Sequence, residues 1–462
     1  MAGETIRVLD LFAGAGGLSL GFDLVRNKDG KRVFEIVKAV EIDDDACNTL
    51  KNYFRKTYGR EDIVVWGNLT KLKTRREIIK ACKGKVSLIV GGPPCQSFST
   101  LGPRSGFGLK KRKFRNDERD RLYREYLKIV EKVQPDFIIF ENVKGIISKR
   151  DKKGRRYIDI IASDFRKLGY SFKGENRDVK EEYLVLNAAD YGVPQIRERV
   201  FLIGNRLGIR NPFPKQTHSN PAKRKPDDRL LPWTTLKDAI GDLPKLKARY
   251  TLTGIPKKSR KRIEKIKRIN TRRYSGALEM PFNDGGFSEH VQALGQPGKR
   301  LLQFIRLGAN GTILYHEARA QKQDDIKLFA GMRQGTTAAY LFRNRTEKAR
   351  RLRKLIKYRM KDDDGEFTFG DKYRKQSWNS PSTTLFAHLA KDGNRFIHPD
   401  GKQARTFTVR EAARIQTFPD WYEFSGTSRG SKFQQIGNAV PPLLAMRIAE
   451  SVFSIMTEGA AK

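Results

Sequence analysis

The chain is short of cysteine, of long apolar runs and of acidic charge, and each shortage narrows what it can be. Its three cysteines, Cys47, Cys82 and Cys95, make no C-x-x-C pair and no disulfide framework, so a reducing compartment, the cytoplasm, is expected. They also form no Cys/His set at zinc spacing, and no metal is expected. No run of about 18 apolar residues occurs, so no membrane span is expected. The first apolar stretch, Ile6 to Phe12, follows no basic segment and ends in Ala13-Gly14; it reads as a core strand and not as an export signal. There is no internal repeat and no long low-complexity tract. Acidic residues are outnumbered 52 to 93 by Lys and Arg, a net charge of +41. A folded chain this basic repels itself unless a polyanion offsets the charge, nucleic acid first and an anionic membrane surface second.

What is present is a strand–helix alternation. Over the first two hundred residues, Ile6–Phe12, Phe34–Val40, Val86–Val90, Phe137–Phe140 and Val200–Ile203 read as buried strands. Between them Asp45–Tyr58, Arg75–Cys82, Arg119–Val133 and Tyr157–Leu168 have helical length and period. That pattern means an α/β fold with a parallel sheet covered on both faces, and ligands then bind beyond the carboxyl ends of the strands. The 462 residues exceed what one core of about 250–300 residues holds, so two domains are expected. From Arg206 onward prolines and basic runs replace the alternation. Residues 206–404 carry 44 basic and 19 acidic side chains, +25, against +16 for the other 263 residues. The middle section is therefore the polyanion-facing part.

Five segments carry candidate chemistry, each at the end or the start of a strand. Asp10-Leu11-Phe12-Ala13-Gly14-Ala15-Gly16-Gly17 is a glycine turn that lets a ligand approach the backbone, or else a purely structural turn. It is not the dinucleotide fingerprint, because Ser19 fills the sixth position. Glu41, at the end of the second strand, suits the two hydroxyls of a ribose, so an adenosyl ligand without a pyrophosphate is suggested. Gly91-Gly92-Pro93-Pro94-Cys95-Gln96-Ser97 holds a cysteine on a stiff turn, with Arg104, Lys110, Lys111 and Arg112 following to favour a thiolate. An inert buried cysteine is the alternative, and it suits Cys47 and Cys82 better. The segment 100–116 reads as a loop able to close over a substrate. Glu141 follows four apolar residues, which should raise its pKa and fit it to share a proton, unless it merely caps the next turn. Arg197 and Arg199 alternate along the last strand as a fork for carbonyl or phosphate oxygens.

Taken in order, these segments resemble the DNA (cytosine-5) methyltransferase family of prokaryotic restriction–modification systems. Arg410-Glu411-Ala412-Ala413-Arg414 with Phe418-Pro419-Asp420 is similar to that family's ninth motif, and Gln435-Ile436-Gly437-Asn438-Ala439-Val440-Pro441 to its tenth. The resemblance covers about 1–205 and 405–445. It implies a Rossmann-like S-adenosylmethionine-dependent methyltransferase sheet with a smaller basic target-recognition domain. The divisions expected are a catalytic and cofactor domain over 1–205, a target-recognition domain over 206–404, a hinge over 405–433 and a return to the catalytic domain over 434–462. The resemblance makes Cys95 the nucleophile toward carbon 6 of cytosine, with Glu141 on N3 and the exocyclic amine and Arg199 on O2, Arg197 beside it. Because the cysteine must reach the ring face, the base has to flip out of the helix. S-adenosyl-L-methionine would lie with its adenine near Phe12 and its ribose on Glu41. Asp10, Gly14, Gly16, Gly17, Ile42, Leu69, Pro94, Leu122, Asn438 and Ala439 would complete that site.

One departure stands out: the family has an aspartate where this chain has Asn68, whose oxygen would still accept from the adenine amine. Candidate DNA contacts are Gln96, Ser97, Arg343, Arg345, Gln376 and Thr383. Duplex DNA is the expected partner, a cognate restriction endonuclease would act on the same site, and the enzyme would be a monomer associated with the nucleoid. The rivals are an RNA cytosine-5 methyltransferase on the same scaffold, a catalytically idle nucleic-acid binder and a nicotinamide or flavin oxidoreductase. The broken fingerprint speaks against the last.

Overall fold

The computed structural model describes residues 5–94, 122–174, 183–224, 229–250, 289–290, 299–306, 312–356, 370–391 and 393–458. The alternation read from the sequence forms one seven-stranded sheet. Its strands are β1 (Ile6–Leu11), β2 (Phe34–Glu41), β3 (Val64–Trp66), β4 (Leu88–Gly91), β5 (Phe137–Val143), β6 (Leu184–Asn187) and, after the two-residue β7 (Gln195–Ile196), β8 (Glu198–Asn205). Their order across the sheet is β3-β2-β1-β4-β5-β8-β6. Pairings from β3 through β5 are parallel, and β8 runs antiparallel to both β5 and β6. The sheet is thus parallel as expected except for β8.

Successive residues of a strand face opposite sides, which explains the unbroken apolar runs. Phe137, Ile139, Phe201 and Ile203 join the core on one face; Ile138, Phe140, Val200 and Leu202 join the core on the other. The first face is covered by α1 (Gly17–Asp23), α2 (Asp44–Tyr58) and the last helix, Pro442–Glu458. The second is covered by α3 (Leu72–Cys82), α4 (Leu122–Val133) and, past the short α5 (Gly145–Ser148), α6 (Tyr157–Lys167). The four expected helices are present with ends shifted by up to three residues, and the first residues expected in α4 lie outside the described ones.

The last helix packs directly on α1. A β-carbon on Gly21 would lie 2.4 Å from Ala445 Cβ, so only glycine allows the two backbones to meet. The stretch Arg429–Thr457 is apolar and long enough to pass for a membrane span by composition, but its apolar side chains belong to the core over α1. A third, smaller cluster gathers Leu328, Phe329, Met332, Leu341, Leu352 and Tyr373 from the basic middle section.

Candidate active site

The carboxyl ends of β1 and β2 meet around a strained turn. Phe12, Gly14 and Gly16 have φ of 60°, 54° and 78°, three left-handed residues in five. Asp10 anchors the turn from beneath: its Oδ2 accepts from Ser19 N at 3.1 Å and Ser19 Oγ at 2.6 Å. Its Oδ1 is buried with no hydrogen-bond partner among the described residues, and burial pushes the carboxyl from the ordinary 3.8 up to about 7. Glu41 gathers backbone amides, accepting from Gly14 N (2.7 Å) on Oε2 and from Ile42 N (2.8 Å) and Asp43 N (2.9 Å) on Oε1. The two clusters of donors fix the carboxylate and leave acceptor capacity on Oε2.

The space around this turn fits an adenosyl ligand. A β-carbon on Gly14 would meet nothing within 4 Å, whereas one on Gly17 would lie 2.1 Å from the Val440 carbonyl oxygen. The turn is therefore open on one side and pressed against the 439–441 segment on the other. Ile42 and Trp66 stand 58% and 64% exposed beside Glu41, the indole N–H donating to Ile42 O at 3.1 Å, and they offer an apolar wall to a purine. Asn438 is exposed next to buried Ala439; Pro94 is exposed, and Phe12 and Leu122 are half-buried. The Asn68 oxygen accepts from Thr70 N (2.9 Å) and Thr70 Oγ1 (2.8 Å), capping its own turn. Leu69 beside it is buried.

The neighbouring ends of β4, β5 and β8 form the second half of the site. Glu141 and Arg199 pair at 3.2 Å, each 13% exposed. Burial raises the Glu141 pKa and outweighs the Arg199 guanidinium, which opposes it. The carboxylate lies over the chain that leads to the cysteine turn, since a β-carbon on Gly92 would sit 2.6 Å from Glu141 Oε2. Asn142 Nδ2 donates to Pro93 O at 3.2 Å, tying the same turn to β5. Asn142 was not among the expected site residues, although its place beside Glu141 was the available signal. Cys95, Gln96, Ser97 and the 100–116 loop lie outside the described residues.

Arg197 and Arg199 do not make a fork. Arg197 is fully buried and donates to three carbonyls, Leu385 O (2.6 Å), Gly437 O (3.1 Å) and Ala439 O (3.0 Å). The cause is the break between β7 and β8, where the Arg197 backbone instead bonds residues 187 and 188. Arg197 thus ties the strand bearing Arg199 to the loop around Asn438. In the middle section, Gln376 and Thr383 bond one another, Gln376 Nε2 to Thr383 Oγ1 at 3.1 Å and Thr383 N to Gln376 Oε1 at 3.3 Å. Gln376 is buried and Thr383 half-buried. Arg343 and Arg345 are exposed between the helices Ala338–Arg343 and Glu347–Arg353. Among the described residues no group of three or more His, Cys, Asp or Glu forms a metal cage.

The chain matches one family model, C-5 cytosine-specific DNA methylase, over residues 6–454. The chain belongs to that family. The methylase is a DNA (cytosine-5-)-methyltransferase whose methyl donor is S-adenosyl-L-methionine. It is 32% identical to the type II methyltransferase M.AgeI of Thalassovita gelatinovora, over 97% of this chain and 99% of that one. It is 31% identical to the type II methyltransferase M.XorII of Xanthomonas oryzae pv. oryzae, over 97% of this chain and 84% of that one. Among solved structures, a prophage-encoded E. coli protein described as a DNA modification methyltransferase shares the methylase's fold. Its TM-score is 0.59 at 22% identity, with 98% of this chain and all of that one covered.

Proposed function

We propose that Cys95, Glu141 and Arg199 are the catalytic groups of this methylase, and that it modifies one duplex site within a type II restriction–modification system. The observation that carries the assignment is the buried Glu141–Arg199 pair, whose carboxylate overlies the backbone of Gly92, three residues before Cys95. A raised pKa lets Glu141 hold a proton toward N3 of cytosine while Arg199 holds O2, so electron density leaves carbon 6. The Cys95 thiolate adds there, and its electron pair makes carbon 5 nucleophilic. When bound, S-adenosylmethionine would supply its sulfonium methyl to carbon 5, the S–CH3 bond breaking and S-adenosylhomocysteine leaving. Loss of the carbon 5 proton to a base then breaks the C–S bond and returns the thiolate. Arg197 acts by holding Arg199 and the Asn438 loop in register.

The cofactor rests on Glu41 and the Gly14–Gly17 turn, against Phe12, Ile42 and Asn438. Arg343 and Arg345 hold phosphates, and a few side chains of the 206–404 region read the site. The functional units are 1–205, 206–404, 405–433 and 434–462, acting as a monomer on nucleoid DNA beside a cognate endonuclease. Support for the restriction–modification setting comes from relatives named as type II methyltransferases over nearly their whole length. The test is transfer of labelled methyl to unmethylated duplex DNA, single strands and tRNA by the wild type and Cys95→Ser. Label at carbon 5 in duplex only, abolished in the serine variant with DNA binding kept, is the expected result. Near-normal turnover by Cys95→Ser would rule out the covalent route.

A further inference from the structure

We infer that Tyr422 is a positioning residue for the cofactor turn, and that its hydroxyl holds the turn in the shape that binds S-adenosylmethionine. The side chain is buried, and its Oη donates to Ala15 O at 2.7 Å, in the middle of the Gly14-Ala15-Gly16 turn. The same oxygen would lie 3.0 Å from a β-carbon on Gly16, and with Leu50 Cδ2 at 2.7 Å it fills the space that this glycine leaves. The turn needs such a prop. Gly16 is the N-cap of α1 and, having no side chain, gives the helix no capping bond. The left-handed Phe12, Gly14 and Gly16 are conformations that persist only where surrounding contacts impose them. Asp10 holds the turn from the Ser19 side and Tyr422 from the Ala15 side.

The other end of the prop is rigid. Arg410, fully buried, donates to Pro419 O at 3.0 Å and to Tyr422 O at 3.2 Å. Arg414 grips Asp420 at 2.8 and 2.7 Å and reaches Asp242 at 2.7 Å. Helix Val409–Ile415 therefore fixes the 418–422 segment, and Tyr422 carries that rigidity to the cofactor turn. Burial pushes its hydroxyl pKa far up, so it stays a donor across the working pH range.

The inference rests on the reading of the glycine turn as the cofactor site. It is tested on the full chain by titrating S-adenosylhomocysteine calorimetrically into wild type, Tyr422→Phe and Tyr53→Phe. Tyr53 is a control: its ring packs against that of Tyr422, with centroids 5.4 Å apart, but the hydroxyl that the substitution removes donates to Asp23 and not to the turn. The expected result is a Kd raised about tenfold in Tyr422→Phe, the scale of one buried hydrogen bond lost. Tyr53→Phe should bind as the wild type does. In steady state with saturating DNA, Tyr422→Phe should show the same rise in KM for the methyl donor with kcat within about twofold. An unchanged Kd in Tyr422→Phe overturns the positioning role while leaving the cofactor site intact. An equal loss in both variants overturns it as general loosening of the core. Failure of the wild type to bind removes the reading of the turn and the inference with it.

Discussion

Two regions of the methylase bury carboxylates and treat them in opposite ways. At the carboxyl edge of the sheet, among the described residues, Asp10 is bonded by Ser19 and Glu141 is paired with Arg199; burial dominates, and both pKa values rise. Around the helix Val409–Ile415, burial would raise Glu411 and Asp420 too, but arginines overcome it. Arg405 binds both oxygens of Glu411 at 2.7 Å, Arg414 binds both of Asp420, and both pKa values fall. Depth alone therefore says little about a buried acid. A bidentate guanidinium locks a carboxylate as a charged structural part, whereas an under-compensated one keeps affinity for a proton and so for chemistry.

The sharpest way to break this contrast is to remove one charge from each region. Glu141→Gln keeps the shape but cannot move a proton, so kcat should fall by about 10²–10⁴ with melting temperature and DNA affinity nearly unchanged. Glu411→Gln should do the reverse. It strands buried Arg405 beside a neutral group, for about 3–5 kcal/mol of lost stability, while turnover of the folded fraction measured in the cold is largely kept. Chemical denaturation and single-turnover rates on both variants decide it. Two variants with matching losses in rate and stability would erase the distinction.

Arg197 extends the comparison to a buried cation whose donors go to carbonyls and not to a carboxylate. In Arg197→Lys, one ammonium replaces a planar fork that serves Leu385, Gly437 and Ala439, so at least one carbonyl loses its donor at a cost of about 1–3 kcal/mol. The Asn438 loop should loosen, raising KM for the methyl donor about tenfold and lowering kcat much less than Glu141→Gln does. A kcat loss as large as that of Glu141→Gln, with KM unmoved, would put Arg197 on the base itself.

These contrasts also mark how far the sequence can be read. Phe137–Phe140 and Val200–Ile203 were legible as strands because a strand covered on both faces needs apolar residues at every position. β3 and β6 were not, being three- and four-residue edge strands with exposed Trp66 and Val185 interrupting the pattern. The direction of β8 has no local signature, since it depends on which strand it pairs with. Glu141 and Arg199 were named from their places near the end of β5 and the start of β8, and the fold pairs them. Arg197 was misjudged because strict alternation fails at the β7–β8 break. Gln376 and Thr383, seven residues apart, looked like free polar groups until folding paired them. Tyr422 had no signal, because its partner Ala15 lies 407 residues away in the chain.

The smallest expected effect separates the two regions by pH. Asp10 titrates at about 7 in the folded methylase against an ordinary 3.8, so the native state holds a proton that the unfolded chain has released. Its contribution to stability is complete below about pH 3.8 and is lost as pH rises through about 7. Glu411 works the other way: its folded pKa lies below the ordinary 4.5, so its contribution is present above that value and lost in acid. Between about pH 5 and 8 only Asp10 should impose a slope of the two. Urea midpoints across that range should fall for wild type relative to Asp10→Asn, whose amide can still accept from Ser19 and does not ionise. Parallel profiles would mean that the Asp10 carboxyl is already charged at pH 5, held by something other than Ser19, and that the sheet edge is less proton-hungry than its burial implies.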